Sequence, residues 1–253
     1  MTAPDPHRQL PYALRLDWGP EGAEAVGAVE VAVVVDVLSF TTTLSVAVER
    51  GTRVLPYRWR DESAARFAEE RGAVLAVGRS AAGPGEISLS PSTVRRAPAP
   101  RRLVLPSPNG ATISVGLQAG GAEVLGVSLR TRAAAARYLL RRRESEPDLR
   151  VAVIAAGERW PGGGLRPAVE DLWGGGALVD LLIQGGWRDV APEAAAAAAA
   201  FRSVEPDVGA ALRACASGRE LIDAGYPSDV EIAAELDRSP SVPVLREGAF
   251  VGR

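Results

Sequence analysis

Apolar residues are concentrated in short uninterrupted runs along the chain, and Ala-rich, Gly-rich or charged stretches separate these runs. The clearest run is Val31–Val35, which is followed directly by Asp36. An unbroken apolar run of this length predicts a strand that is buried on both faces, as in a parallel sheet. Asp36 is therefore expected at the carboxyl end of that strand, which is where open α/β sheets bind their ligands.

The same pattern predicts alternating strands and helices along the rest of the chain, which is typical of an α/β fold. Strands are predicted at residues 12–17, 31–35, 54–57, 74–77, 103–105, 124–127 and 151–155, with an edge strand at 240–245. Helices are predicted at residues 44–48, 61–71, 111–117, 131–143, 170–183, 194–201, 208–216 and 230–236. A long loop is predicted after residue 77, and loops of that kind in compact domains are usually functional or disordered.

Residues 1–10 are expected to form a loose tail, and residues 11–253 a single domain. Residues 43–55 resemble residues 112–125, which indicates either an internal duplication or simply the usual form of an α/β sequence. Right-handed connections would place the turns after the buried strands at one edge of the sheet. Asp36, Asn109 and the pair Glu170 and Asp171 can then converge in one cleft.

Composition excludes several classes of function. The chain has no Lys, which excludes Schiff-base chemistry and a Walker-type phosphate loop. Cys215 and His7 are its only cysteine and histidine, so neither a disulfide framework nor a Ser–His or Cys–His catalytic pair is expected. A net charge of −2 gives no general attraction to nucleic acid or to acidic membranes. No apolar run approaches the roughly 20 residues of a membrane helix and no secretory pattern is present, so a cytoplasmic protein is expected.

The polar residues after the first buried strand have two interpretations. Asp36 can cap the following helix, a contribution of about 1 kcal/mol, or it can bind Mg²⁺, which prefers carboxylate oxygens. The hydroxyls of Thr41, Thr42 and Thr43, with the free N–H groups of a helix start, suit an anion. A carboxylate beside an anion site is explained if a cation lies between them. Arg79, in the long loop, is a candidate for a bidentate contact with a phosphate or sulfonate.

Two later turns carry further candidates. Ser107, Asn109 and Gly110 form either an ordinary turn or a second anion-binding turn at a helix start. Glu170 and Asp171 are acids in the first turn of a predicted helix, where they can complement the helix dipole. Alternatively, one of them binds a metal through its carboxylate or acts as a general base. Both alternatives stay open at each turn.

Three motifs together resemble those of the 2-phosphosulfolactate phosphatase (ComB-like) family. They are D-V-L with T-T-T at residues 36–43, S-P-N-G at 107–110, and V-E-D-L followed by three glycines at 169–176. Their order and spacing agree, and the resemblance extends from residue 31 to the C-terminal helices. It implies a three-layer α/β/α sandwich with a largely parallel or mixed central sheet. It also implies a magnesium-dependent phosphatase activity and a homodimer.

The sequence departs from the family pattern at several positions. Ser39 stands where the family has Arg, Gly78 where it has Glu, and Leu89 approximately where it has Asn, whereas Arg79 is retained. The resemblance therefore transfers the fold and the metal-binding acids more directly than it transfers the substrate.

The resulting hypothesis is a Mg²⁺-dependent hydrolase of 2-phosphosulfolactate or a related small phosphorylated acid. Asp36 would hold the metal with help from Glu170 or Asp171, and one carboxylate would position the attacking water. The substrate would be bound by Thr41, Thr42, Thr43, Arg79, Ser107, Asn109 and Gly110. One alternative is a catalytically impaired relative that binds an anionic metabolite or a partner protein. Another is an unrelated nucleotide-binding domain, which would lack the usual G-x-G-x-x-G fingerprint.

Overall fold

The computed structural model describes residues 6–58 and 61–253, and it confirms the predicted alternation of strands and helices. The strands are β1 (Leu14–Trp18), β2 (Val31–Val35), β3 (Arg53–Tyr57), β4 (Val74–Leu75), β5 (Arg102–Pro106), β6 (Glu123–Val127), β7 (Val151–Ala155), β8 (Glu158–Arg159), β9 (Leu165–Arg166), β10 (Pro243–Arg246) and β11 (Ala249–Gly252). The helices are α1 (Gly19–Ala25), α2 (Phe40–Glu49), α3 (Glu62–Glu70), α4 (Pro91–Arg96), α5 (Gly110–Ala119), α6 (Arg132–Ser145), α7 (Val169–Gln184), α8 (Pro192–Val204), α9 (Val208–Ala214), α10 (Ala216–Asp223) and α11 (Pro227–Ala233).

Within the described residues, nine strands form one mixed sheet in the order β1-β7-β2-β6-β10-β11-β3-β5-β4. Strands β1, β7, β2 and β6 pair in parallel, and so do β3, β5 and β4. The hairpin of β10 and β11 lies between these groups and pairs antiparallel with β6 on one side and β3 on the other. The predicted edge strand at 240–245 is therefore wrong in its position. The strand exists, but β11 pairs with it and places it inside the sheet.

Helices cover both faces of this sheet. Val31, Val33 and Val35 of β2 belong to one hydrophobic core, whereas Ala32 and Val34 belong to the other. The first core packs against α6, α7 and α8, and the second packs against α2 and α5. Because a strand directs alternate side chains to opposite faces, the uninterrupted apolar run of β2 fills both cores. The predicted three-layer α/β/α sandwich with a mixed central sheet is confirmed.

Helix α7 approaches the sheet and helix α8 closely because glycines face both of them. A Cβ atom on Gly174 would lie 2.6 Å from the Cγ2 atom of Val37. A Cβ atom on Gly176 would lie 2.0 Å from the carbonyl oxygen of Ala197 in α8. Both distances are far below van der Waals contact, so any larger residue would push α7 outward. The close packing sets the first turn of α7 next to the end of β2.

Several elements differ from the prediction in their bounds. Helix α2 begins at Phe40, so the threonine triplet lies inside the helix rather than before it. The predicted helix 208–216 is interrupted at Cys215, whose backbone is extended and which caps α10. The predicted long loop after residue 77 leads into α4, and α1 follows β1, and neither of these helices was predicted.

Residues 1–5 of the predicted tail lie outside the described residues. In the part that is described, the Gln9 side chain is buried and forms hydrogen bonds with both the N–H and the carbonyl of Leu16. Within the described ranges, no helix combines the length and the apolar character that crossing a membrane requires.

Candidate functional site

Asp36 lies directly after β2, and its carboxylate joins the starts of two helices. Its Oδ1 atom accepts a hydrogen bond from the backbone N–H of Phe40 at 3.1 Å, and its Oδ2 atom accepts one from Gly110 at 3.0 Å. The side chain is buried, with only 6% of the residue surface exposed. A carboxylate here satisfies N–H groups that have no partner within α2 and α5 and complements the positive ends of both helices. The capping interpretation of Asp36 thus describes part of what the residue does, and its role as a metal ligand stays a prediction.

The turn before α5 reaches Asp36 because position 110 is glycine. A Cβ atom there would lie 2.4 Å from the ring of Phe40 and 2.8 Å from the Oδ2 atom of Asp36. Asn109 precedes this glycine, and its backbone N–H donates to the Oγ atom of Ser107 at 3.3 Å. The structure therefore brings the predicted turn at 107–110 into direct contact with Asp36.

The threonine triplet is directed into the protein. Thr41 donates its hydroxyl proton to the carbonyl of Asp36, Thr42 donates to Val37, and Thr43 donates to Leu89. All three threonines are fully buried. Each hydroxyl has a single proton, so an anion would have to displace one of these hydrogen bonds to be bound by it. The proposed contact between these hydroxyls and a substrate stays a prediction, and their observed role is to fix the start of α2.

Asp171, in the first turn of α7, connects two sheet-end turns. Its Oδ1 atom accepts from the N–H of Val37 at 2.7 Å, and its Oδ2 atom accepts from the N–H of Gly157 at 2.9 Å. Burial, followed by the negative charges of Asp36 and Glu170, raises the pKa of Asp171 well above its usual range. The predicted convergence of the Glu170–Asp171 pair with Asp36 is thus present in the fold.

Glu158 is a member of this cluster that was not predicted from the sequence. It begins β8, just beyond β7, and its Oε2 atom accepts a hydrogen bond from the Nδ2 atom of Asn109 at 3.0 Å. Burial, and then the charges of Asp36 and Glu170, raise the pKa of Glu158 to about 7. The signal that could have identified it is the one that identified Asp36, because β7 pairs in parallel with β2 and both strands end at the same edge.

Glu170 is buried beside Cys215. Arg166 lies at the border of the same cluster. Burial, with the charge of Glu170, raises the pKa of the Cys215 thiol to about 12, and the thiol donates to the carbonyl of Leu212. This cysteine is therefore a protonated packing residue at neutral pH. Arg166 donates from its Nη2 atom to the Oγ atom of Ser217 at 3.0 Å, and its positive charge opposes the rise in the pKa of Glu158.

Arg79 contacts the residue that precedes α2. Its Nε atom donates to the Oδ2 atom of Asp229 at 3.0 Å, and its Nη2 atom donates to the Oγ atom of Ser39. Asp229 is fully buried and also accepts from the hydroxyl of Ser90. Asp229 was not predicted, because it lies 150 residues from Arg79 in the chain and no local pattern connects the two. The side chain that was expected to bind an anion is thus fixed in orientation by a buried carboxylate.

The donor set fits a divalent cation of the oxygen-binding kind. Burial, and after it the negative charges of Asp36 and Glu170, raise the pKa values of both Glu158 and Asp171. In the described part of the chain, no three Asp, Glu, His or Cys side chains form a group that could hold a metal by themselves. Mg²⁺ binds proteins through one or two carboxylates, with water and substrate phosphate completing its shell. The cluster fits that form of binding, and a cage made only of protein ligands is not formed.

The fold and this cluster at the end of β2 belong to a recognised protein class. Residues 20–248 match the model of the 2-phosphosulpholactate phosphatase family, and the chain is a member of that family. It is 33% identical over 237 residues to the "Probable 2-phosphosulfolactate phosphatase" of Thermus thermophilus, covering 92% of this chain and 94% of that protein.

Proteins with the same description in Prochlorococcus marinus (strain MIT 9303) and Deinococcus radiodurans are 31% and 30% identical. These alignments cover 89% and 87% of this chain, and 91% and 89% of the relatives. The resemblance inferred from the three motifs is confirmed, and the alternative of an unrelated nucleotide-binding domain is wrong.

Proposed function

We propose that this protein is a metal-dependent phosphatase that hydrolyses a small phosphorylated acid, 2-phosphosulfolactate or a close analogue. The observation that carries the proposal is a group of four acids near the ends of β2 and β7, in which Asp36, Glu170 and Asp171 are buried and Glu158 is partly buried. Acids gathered this closely, three of them buried, destabilise the fold by mutual repulsion and desolvation, and such clusters are typical of cation-binding and catalytic sites. Family membership and the descriptions of the relatives support the same activity.

In this proposal Asp36 holds Mg²⁺ together with Glu170 or Asp171. When bound, the metal would supply charge neutralisation for the phosphate and polarise its oxygens. The hydrogen bonds from Phe40 and Gly110 fix the orientation of the Asp36 carboxylate before any ligand arrives. Fixed orientation matters because phosphoryl transfer depends mainly on positioning and electrostatic stabilisation.

Glu158 is proposed to handle the proton in the reaction. The oxygen of water forms a bond to phosphorus, the bond from phosphorus to the substrate's hydroxyl oxygen breaks, and that oxygen must take up a proton. Burial is the largest cause that raises the pKa of Glu158, to about 7 in the metal-free protein, so this group is suited to carry a proton near neutral pH and to release it during the reaction. The hydrogen bond from Asn109 occupies its Oε2 atom, so Oε1 is the atom that would carry the proton.

Arg79 is proposed to bind the second anionic group of the substrate. Its hydrogen bond to Ser39, the residue just before α2, supports a position close to the proposed phosphate site. The threonine triplet, Ser107, Asn109 and Gly110 are proposed to shape the phosphate site through the two helix starts. The Mg²⁺ dependence, the cytoplasmic location and the homodimer stay predictions.

The proposal is tested by phosphate release from a panel of phosphorylated carboxylates and sulfonates, 2-phosphosulfolactate included, with Mg²⁺ or with EDTA. We expect release that requires the metal. Asp36→Asn should lower kcat at least 100-fold, because the variant loses a metal-binding charge and a hydrogen-bond acceptor. The exposed surface variant Asp148→Asn is the matched control and should retain full activity.

Circular dichroism and a cooperative urea transition must show that the Asp36→Asn protein is folded. Full activity in that folded variant would remove Asp36 from the mechanism. If the wild-type protein releases no phosphate from any substrate, the catalytically impaired relative that binds an anionic metabolite becomes the better description.

A further inference from the structure

A cavity of about 580 Å³ opens beside the candidate site. Its walls are mainly apolar and include Leu75, Leu89, Leu221 and the ring of Tyr226. Arg79 is the one basic side chain among the described residues that line it. Cavities of this volume and character hold ligands much larger than a three-carbon acid.

Two residues of the cavity wall are hydrogen-bonded to the start of α2. Arg79 donates a hydrogen bond to Ser39 at the start of α2. Leu89, in the cavity wall, accepts the hydroxyl proton of Thr43 through its carbonyl oxygen. The cavity wall therefore lies beside the helix start whose Phe40 N–H donates to Asp36.

Arg79 is suited to bind one acidic group at the entrance to this cavity. Asp229 and Ser39 each accept one of its five N–H groups, which leaves three directed elsewhere. The ion pair with the fully buried Asp229 fixes the guanidinium plane, so little conformational entropy is lost when an acid binds. The guanidinium carbon also lies 5.9 Å from the centre of the Tyr226 ring, which places charge and aromatic surface side by side.

We propose that the cavity holds the non-reacting part of the substrate, and that the preferred substrate is the phosphate ester of a hydroxy acid with a bulky apolar group. This inference rests on the proposed phosphatase function. The phosphate lies at the end of β2, the acid group contacts Arg79, and the apolar group is covered by the cavity walls. Removal of that apolar group from water supplies affinity that a small acid cannot obtain. The exposed acids Asp61 and Glu220 also line the cavity, so a second acidic group further along the substrate is disfavoured.

The test compares two phosphate esters that differ only in the apolar group, 2-phospholactate and 2-phospho-3-phenyllactate. We expect kcat/KM to be at least tenfold higher for the phenyl ester in the presence of Mg²⁺. Ala224→Trp, which places an indole at the cavity wall, should lower the preference for the phenyl ester to threefold or less. Ala196→Trp, an exposed alanine of α8 away from the cavity, should keep the wild-type preference.

The outcomes separate this inference from the proposed function. If both esters are hydrolysed with equal kcat/KM, or if Ala224→Trp keeps the preference for the phenyl ester, the inference about the cavity is overturned while the phosphatase function stands. If neither ester and no other member of the phosphate panel is hydrolysed, the proposed function itself fails.

Discussion

Glu158 occupies a position that disfavours its own charge. It is largely removed from water, and the negative charges of Asp36 and Glu170 lie close by. Both effects favour the protonated form, so the carboxyl group has a pKa of about 7 instead of its ordinary value of 4.5. A group with a raised pKa in the folded state binds its proton more tightly there than in the unfolded chain. The contribution of Glu158 to the free energy of unfolding therefore falls as the pH rises from 4.5 through 7. Above pH 7 the decrease is complete.

Glu158→Gln should remove this pH-dependent loss of stability. We expect the variant to be more stable than the wild type at pH 8, by about 1–3 kcal/mol, since each unit of pKa shift corresponds to 1.36 kcal/mol. At pH 4.5 the two proteins should differ much less. Urea unfolding at both pH values, with EDTA present, measures the difference.

The exposed variant Glu193→Gln in α8 is the control, and its stability should follow the wild type at both pH values. A constant difference between Glu158→Gln and the wild type across this pH range would contradict the raised pKa.

Residues of the candidate site were predictable from sequence where they follow a strongly apolar strand. Asp36 follows β2 directly, and Asp171 opens a long helix after a glycine-rich turn, so local pattern located both. Glu158 follows an equally clear strand but lies in a short hairpin with no helix start to mark it. Asp229 contacts Arg79 only because the fold brings two distant segments together, and no local pattern records such a contact.

Helices α7 and α8 pack closely because residue 176 is glycine and has no side chain. Gly176 lies against the backbone of Ala197, and a methyl group there would overlap the carbonyl oxygen of Ala197. A backbone atom cannot rotate away as a side chain can, so the helices would have to separate. Separation would also shift the first turn of α7, which contains Glu170 and Asp171.

Gly176→Ala should therefore destabilise the protein by about 1–3 kcal/mol or more, the range of overpacked cores. Gly116→Ala is the matched control in helix α5, because a Cβ atom at that position meets nothing within 4 Å. The control should stabilise the protein by about 0.4–1 kcal/mol, because alanine lowers the conformational entropy of the unfolded chain and has a higher helix propensity than glycine. Urea unfolding of both variants measures the two effects, and equal changes of the same sign would contradict the packing described for α7.

At the scale of the whole molecule, the hairpin of β10 and β11 connects two groups of parallel strands. One group is β1, β7, β2 and β6, and the other is β3, β5 and β4. Phe250 of β11 is fully buried and packs edge-on against Phe40, with ring centres 6.3 Å apart. Phe40 in turn donates its N–H to Asp36, so the hairpin also supports the candidate site.

A chain that stops after Val242 should fail to fold cooperatively. It would lack both hairpin strands, so β6 and β3 would each lose a hydrogen-bonding partner and the core would lose Phe250. The expected result is a low near-UV signal and a broad, non-cooperative urea transition. A chain that stops after Gly252 keeps both strands and should unfold like the full chain, and cooperative unfolding of the shorter chain would show that the hairpin is dispensable.

Much of the architecture was predictable from sequence, but the order of the strands was not. Apolar runs located most strands because each has to fill one or both cores. The pattern at 240–245 predicts an edge strand, because its prolines have no backbone N–H to donate to a neighbouring strand. Its place inside the sheet depends on pairing with β6, more than a hundred residues earlier in the chain, and on β11, whose short run A-F-V-G gives little signal.

The hairpin also determines what a growing chain exposes on the ribosome. Strands β3 and β6 are synthesised long before residues 243–252, so each presents an open edge while the remainder is being translated. Open edges pair readily with other chains, which makes such intermediates prone to aggregation. A ribosome that stalls in the last helices would therefore hold a nascent chain with two unprotected sheet edges, and cellular chaperones would have to shield both.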